Sequence, residues 1–140
     1  MNKIKVNILL LCGLLGCSSL AYADVAVVVN LNNSTTLSDS DISRVFLGKL
    51  KKFSNGEKAT PVNLKFGSAT RNEFEDKALK KSSSQIKAYW SKRVFSGKGK
   101  PPKELGTAKD IMALVASDVN AVGYVDASTV NDSVRVIKTF

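Results

Sequence analysis

The chain has 140 residues, a formal charge of +9, two cysteines and no histidine. The missing histidine excludes Ser-His and Cys-His catalysis, histidine metal sites and the usual general base near neutral pH. Both cysteines, Cys12 and Cys17, sit near the N-terminus, so the remainder is one disulfide-free domain held by packing, without the usual ligands of structural zinc.

Residues 1–23 read as a secretory signal peptide. Lys3 and Lys5 give a positive start, Ile8 to Leu15 an apolar run too short to span a bilayer, and Ala21-Tyr22-Ala23 a small-x-small cleavage site before Asp24. Leu14-Leu15-Gly16-Cys17 also resembles a bacterial lipobox, in which Cys17 would be acylated and become the first residue. Both readings send the protein out of the cytoplasm, and only the second ties it to a membrane. The mature domain is then 24–140, and its charge falls to +7 once Lys3 and Lys5 are removed. A basic balance favours anionic partners or a solvated lysine-rich surface. Lys49, Lys51 and Lys52 cluster, as do Lys98, Lys100 and Lys103. Neither cluster carries the interleaved aromatics that stack single-stranded bases, so no nucleic-acid partner is expected.

Val25 to Val29 is a continuous β-branched run and predicts a buried strand. Ser38 then caps a helix, with Asp41 at its third position and Leu37 and Ile42 as a hydrophobic staple. Ile42, Val45 and Phe46 form its inner stripe and Gly48 stops it. Ser54-Asn55-Gly56 signals a turn. Val62, Leu64 and Phe66 alternate with polar residues and predict a half-buried strand. A helix follows to about Lys80. The serines at 82–84 break it and cap another, which carries Ile86, Tyr89, Trp90 and Val94 at helical spacing, with Trp90 as a core anchor. Residues 96–102, with two glycines in alternation with lysine and a closing Pro101-Pro102, predict a loop. Thr107 caps a helix with Ile111, Leu114 and Val115 inward. Ala121 to Val125 and Val134 to Ile137 are strands. The order β-α-β-α-α-α-β-β makes a mixed α/β domain.

Several of these stretches resemble one family, the phosphate-binding type of periplasmic substrate-binding proteins that serve ABC importers. Asp41-Ile42-x-x-Val45-Phe46-Leu47-Gly48-Lys49 is similar to that family's D-I-x-x-I-F-x-G-K. Phe53-Ser54-Asn55-Gly56 stands where it has Trp-x-x-Gly. Gly67-Ser68-Ala69-Thr70-Arg71 resembles its G-S-G-T-R oxyanion loop, and Ala121-Val122-Gly123-Tyr124-Val125 its A-I-G-Y-V strand. The match runs over nearly all of 25–137. Tyr89-Trp90, Val94-Phe95-x-Gly97 and Pro101-Pro102 resemble a short, stand-alone branch. The resemblance implies a single lobe of a type II periplasmic binding protein, a mixed sheet flanked by helices, over 24–140. It implies a periplasmic binding module for inorganic phosphate or a similar oxyanion, with Gly67, Ser68, Ala69, Thr70 and Arg71 as ligand groups and no cofactor or metal. Full-length receptors are about twice as long and clamp the ligand between two lobes. The loop also departs from the pattern at Ala69, where a glycine would permit positive φ.

The residues of 67–71 support two readings. Free N–H groups at a helix start, the hydroxyls of Ser68 and Thr70, and the planar fork of Arg71 suit an oxyanion. Equally, Thr70 and Glu73 form a Thr-x-x-Glu capping box, Ser68 supports the turn, and Glu73 and Glu75 oppose an incoming anion. The carboxylate pairs Asp39–Asp41 and Glu73–Asp76 fall near helix starts, where acids stabilise the dipole, so no enzyme is expected. The rival to a binding module is an envelope interaction protein that keeps the lobe and binds a protein partner or forms a homodimer.

Overall fold

The computed structural model describes residues 24–140. The signal-peptide and Cys17 readings fall on residues 1–23, outside the described residues. The elements are β1 (Val25–Asn30), α1 (Asp39–Phe46), β2 (Thr60–Leu64), α2 (Ala69–Phe74), α3 (Ser83–Phe95), β3 (Lys103–Leu105), α4 (Ala108–Ser117), β4 (Ala121–Asp126) and β5 (Val134–Thr139). A π-helical turn, Glu75–Leu79, continues α2 directly.

The strands form one mixed sheet in the order β3-β2-β4-β1-β5. β2 runs parallel to β3 and β4, while β1 is antiparallel to β4 and β5. Every residue of β1 is buried, as its unbroken apolar run requires of a strand covered on both faces. β4 shows how the faces are divided. A Cβ on Gly123 would come within 2.6 Å of Ile111 Cγ2, so α4 lies almost on the strand backbone there. The next residue, Tyr124, points to the opposite face, as strand alternation dictates. Its ring stacks on Phe74 at 3.9 Å between centroids and meets Phe46 edge-on at 5.6 Å. α4 thus covers one face, and α1 with α2 the other.

Helix starts follow the sequence signals closely. The Asp41, Gln85 and Asp110 amides donate to the side-chain oxygens of Ser38, Ser82 and Thr107. Each cap satisfies a donor that lacks an intrahelical partner. Trp90 is buried as the expected anchor.

The structure departs from the sequence expectations at three points and adds one strand. β2 ends at Leu64, so Phe66 lies beyond the ladder and is exposed. Val94 shares the helical spacing of Ile86 and Trp90 but is exposed on the last turn of α3. In α4, Met112 is buried while Leu114 is only half-buried. Residues 103–105 form a strand that no alternating pattern announced; it exists because it pairs in parallel with Val62–Leu64.

Candidate functional site

The candidate loop is built at the C-terminal end of β2. Tyr124 fixes that end: its hydroxyl donates to Asn63 Oδ1 at 2.9 Å and accepts from the Leu64 amide at 3.3 Å. Burial pushes this phenol far above the usual tyrosine range, which keeps it protonated and able to donate. The Lys65 amide then donates to Leu105 O, and the Ser68 amide to Lys65 O, closing a turn. Gly67 sits in that turn with φ +84°. A Cβ there would meet nothing within 4 Å, so the backbone angle, not space, selects glycine.

Ser68, not Thr70, is the N-cap. Its Oγ accepts from the Arg71 amide at 3.2 Å, and its carbonyl from the Asn72 amide at 3.0 Å. The proposed Thr70–Glu73 capping box is therefore not the device that starts α2. Ala69 is the first helical residue, and its φ is not positive. Glycine is not required there, so the departure from the loop pattern leaves the turn intact. The amides of Ala69 and Thr70 belong to the first turn, where no intrahelical carbonyl is available to them.

Arg71 is 5% exposed. Its Nε donates to Glu75 Oε1 at 3.3 Å. Its Nη1 donates to Leu64 O at 3.0 Å and to Glu104 Oε1 at 2.6 Å. Phe66 lies over the guanidinium, 5.4 Å from ring centroid to Cζ. Two carboxylates thus hold the one arginine of the loop, and they join the end of β2, the helix and β3 through one side chain. Glu75 is itself 1% exposed. Burial pushes its carboxyl above the usual carboxylate range, with Arg71 acting in the opposite direction. Its Oε2 is buried without a hydrogen-bond partner. The expectation that Glu75 would face an incoming anion is thereby corrected: it turns into the core toward Arg71. Glu73 pairs with Lys77 at 3.3 Å.

Gly67, Ser68, Ala69, Thr70 and Arg71 therefore meet in one turn-and-helix start. Phe66 and Arg71 also line an apolar groove of about 560 Å3, shared with Ile86, Trp90, Val94 and Glu104. Sequence reasoning missed the roles of Glu75 and Glu104. The i,i+4 spacing of Arg71 and Glu75 was a usable signal. Nothing local connects Arg71 to Glu104, which lies 33 residues on.

No protein-family model matches the chain, and no curated protein matches it by sequence. Solved structures do. An ABC-type phosphate transport receptor from Vibrio cholerae superposes with a TM-score of 0.60 at 22% identity, over 83% of this chain and 47% of the receptor. A putative phosphate ABC transporter substrate-binding protein from Clostridium perfringens, solved with bound phosphate, gives 0.64 at 22% identity, over 83% and 45%. PstS from Borrelia burgdorferi gives 0.61 at 9% identity, over 83% and 47%. The fold is that of one lobe of a phosphate receptor. The chain spans less than half the length of each of these proteins, and the likeness is one of fold. Among the described residues the candidate loop is made by a single strand end and a single helix start. All three structures are those of binding proteins rather than enzymes.

Proposed function

We propose that this chain is an exported oxyanion-binding module that takes phosphate or a similar anion at Gly67–Arg71. The observation that carries the reading is the conformation of Ala69. It enters the helix directly after the positive-φ Gly67 and the Ser68 cap. That leaves the Ala69 and Thr70 amides and the Thr70 hydroxyl as donors at the positive end of the helical segment 69–79. Arg71 takes part by holding the loop: its Nε and Nη1 tie the end of β2 to the helix and to β3, and Glu75 and Glu104 meet its charge. The phosphate in the Clostridium perfringens receptor supports the choice of ligand. Affinity is weak, because an open, one-sided site leaves the ligand largely solvated. Export follows from residues 1–23, and the N-terminal mass of the mature protein separates cleavage after Ala23 from acylation at Cys17.

The test is calorimetric titration with phosphate and sulfate on the wild type and on Ala69→Pro. Proline is well tolerated at a first helical position, and Ser68 already has the extended backbone, with φ −65° and ψ 146°, that must precede it. The variant therefore deletes one donor and keeps the fold. Loss of about tenfold in affinity supports the site. No heat at millimolar ligand, or unchanged binding in the variant, removes it.

A second reading, an envelope interaction lobe, is favoured by one observation. Phe95 is 95% exposed, beside Val94 at 53% and Phe66 at 49%, along the apolar groove. Exposed apolar surface of this kind is what a protein partner or a second copy would cover. Phe95→Ser would abolish capture or self-association under this reading and leave phosphate binding unchanged.

A further inference from the structure

A second cavity lies on the other side of Trp90 and Pro101. It holds about 430 Å3 and is lined by Lys51, Lys58, Lys100 and Lys103 together with apolar residues such as Leu50 and Pro102. No aspartate or glutamate lines it. Among the described residues, none of the four lysines takes part in an ion pair.

The convergence is built by three separate backbone devices. Lys51 and Lys58 are brought together by a turn in which the Ala59 amide donates to Lys51 O and the Phe53 amide to Glu57 O, with Lys52 bridged to Lys58. Lys100 follows a loop tied at its start. There the Lys98 amide donates to Arg93 O, and Arg93 Nη2 donates back to Lys98 O. Pro101 and Pro102 stiffen the remainder. Lys103 belongs to β3, paired with Val62. Strand alternation sends its neighbour Glu104 to the opposite side, where Arg71 holds it. The acid next to Lys103 in sequence is thus committed elsewhere.

We propose that this cavity binds a soluble oligophosphate, a short chain of linked phosphoryl groups. Four lysines lining one concavity, with no acid among its lining residues, produce a focused positive potential. Lysine ammoniums are compact point charges without a planar fork, so they select by charge number rather than by the shape of one oxyanion. A single phosphate can meet only part of the set, whereas a linear oligoanion can reach lysines on both walls. The site shares no residue with the 67–71 loop and stands apart from the function proposed above.

The probe is inorganic tripolyphosphate, titrated against orthophosphate and against phosphatidylglycerol vesicles. The proteins are the wild type, Lys100→Gln/Lys103→Gln and Ala69→Pro. Both lysines are exposed, so the double variant keeps the fold, which circular dichroism checks. The wild type is expected to bind tripolyphosphate at least about tenfold tighter than orthophosphate, with affinity falling steeply as salt rises. The double variant should lose about tenfold and Ala69→Pro nothing. Absence of tripolyphosphate binding at millimolar concentration overturns the proposal. So does equal binding by the double variant, an equal loss in Ala69→Pro, or binding to vesicles alone.

Discussion

Arg71 and the lysine cavity lie on opposite sides of β3 and solve opposite problems. Arg71 is buried, and a buried cation is stable only with charged and polar partners supplied by the fold; Glu75, Glu104 and Leu64 O supply them. The four lysines remain in contact with water, which solvates each ammonium at little cost, so the fold supplies no partner. Structure has already answered the charge at Arg71. At the cavity, the counter-charge is left to solution. A cationic side chain in the sequence therefore does not announce an anion site; its burial and its acids decide.

The sharpest way to break this comparison is Arg71→Ala. It leaves Glu75 buried without its cation, and the expected loss is about 3 kcal/mol in urea unfolding. The paired replacement Arg71→Met with Glu75→Leu should recover most of it, because removing both charges also removes their desolvation cost. A smaller effect is expected of Glu104→Gln, about 1 kcal/mol or less, since that carboxylate is 46% exposed and the pair is screened.

Glu75 sharpens the comparison through pH. Its folded pKa is raised above the ordinary 4.5, so the folded state binds the proton more tightly than the unfolded chain. The contribution is fully present below about 4.5 and declines as pH rises from there through the raised folded value. Thermal melts should show the stability of the wild type falling relative to Glu75→Gln across that window. The smallest effect belongs to Lys100→Gln/Lys103→Gln. Unfolding free energy should change by less than about 0.5 kcal/mol, as for exposed positions without packed contacts. The change should shrink further in high salt.

Much of the fold was legible because local signals and tertiary demands agree. The β-branched run of β1, the Ser38, Ser82 and Thr107 caps, and the Ala121–Val125 strand each needed only neighbouring residues to be read. β3 was not legible: Lys-Glu-Leu has no period, and its extended form comes from β2 alongside. Phe66 misled because alternation continues one step beyond the last paired residue. At the site, the position of the turn was legible, and so was the question posed by Ala69. The cap shifted from Thr70 to Ser68 because the helix begins two residues earlier than the Thr-x-x-Glu pattern suggests. The fate of Arg71 depended on Glu104, which only the β2–β3 pairing brings near.

Lys103 and Glu104 are adjacent on one three-residue edge strand, and each belongs to a different side. Inserting or deleting a single residue between Pro102 and the strand's pairing with β2 would exchange their faces. Lysine would then meet Arg71, and glutamate would enter the cavity, inverting the sign of both regions in one step. The rigid Pro101-Pro102 pair immediately upstream holds the reading frame of this boundary. Length changes in this segment should accordingly be tolerated at Gly97–Lys100 and nowhere closer to the strand.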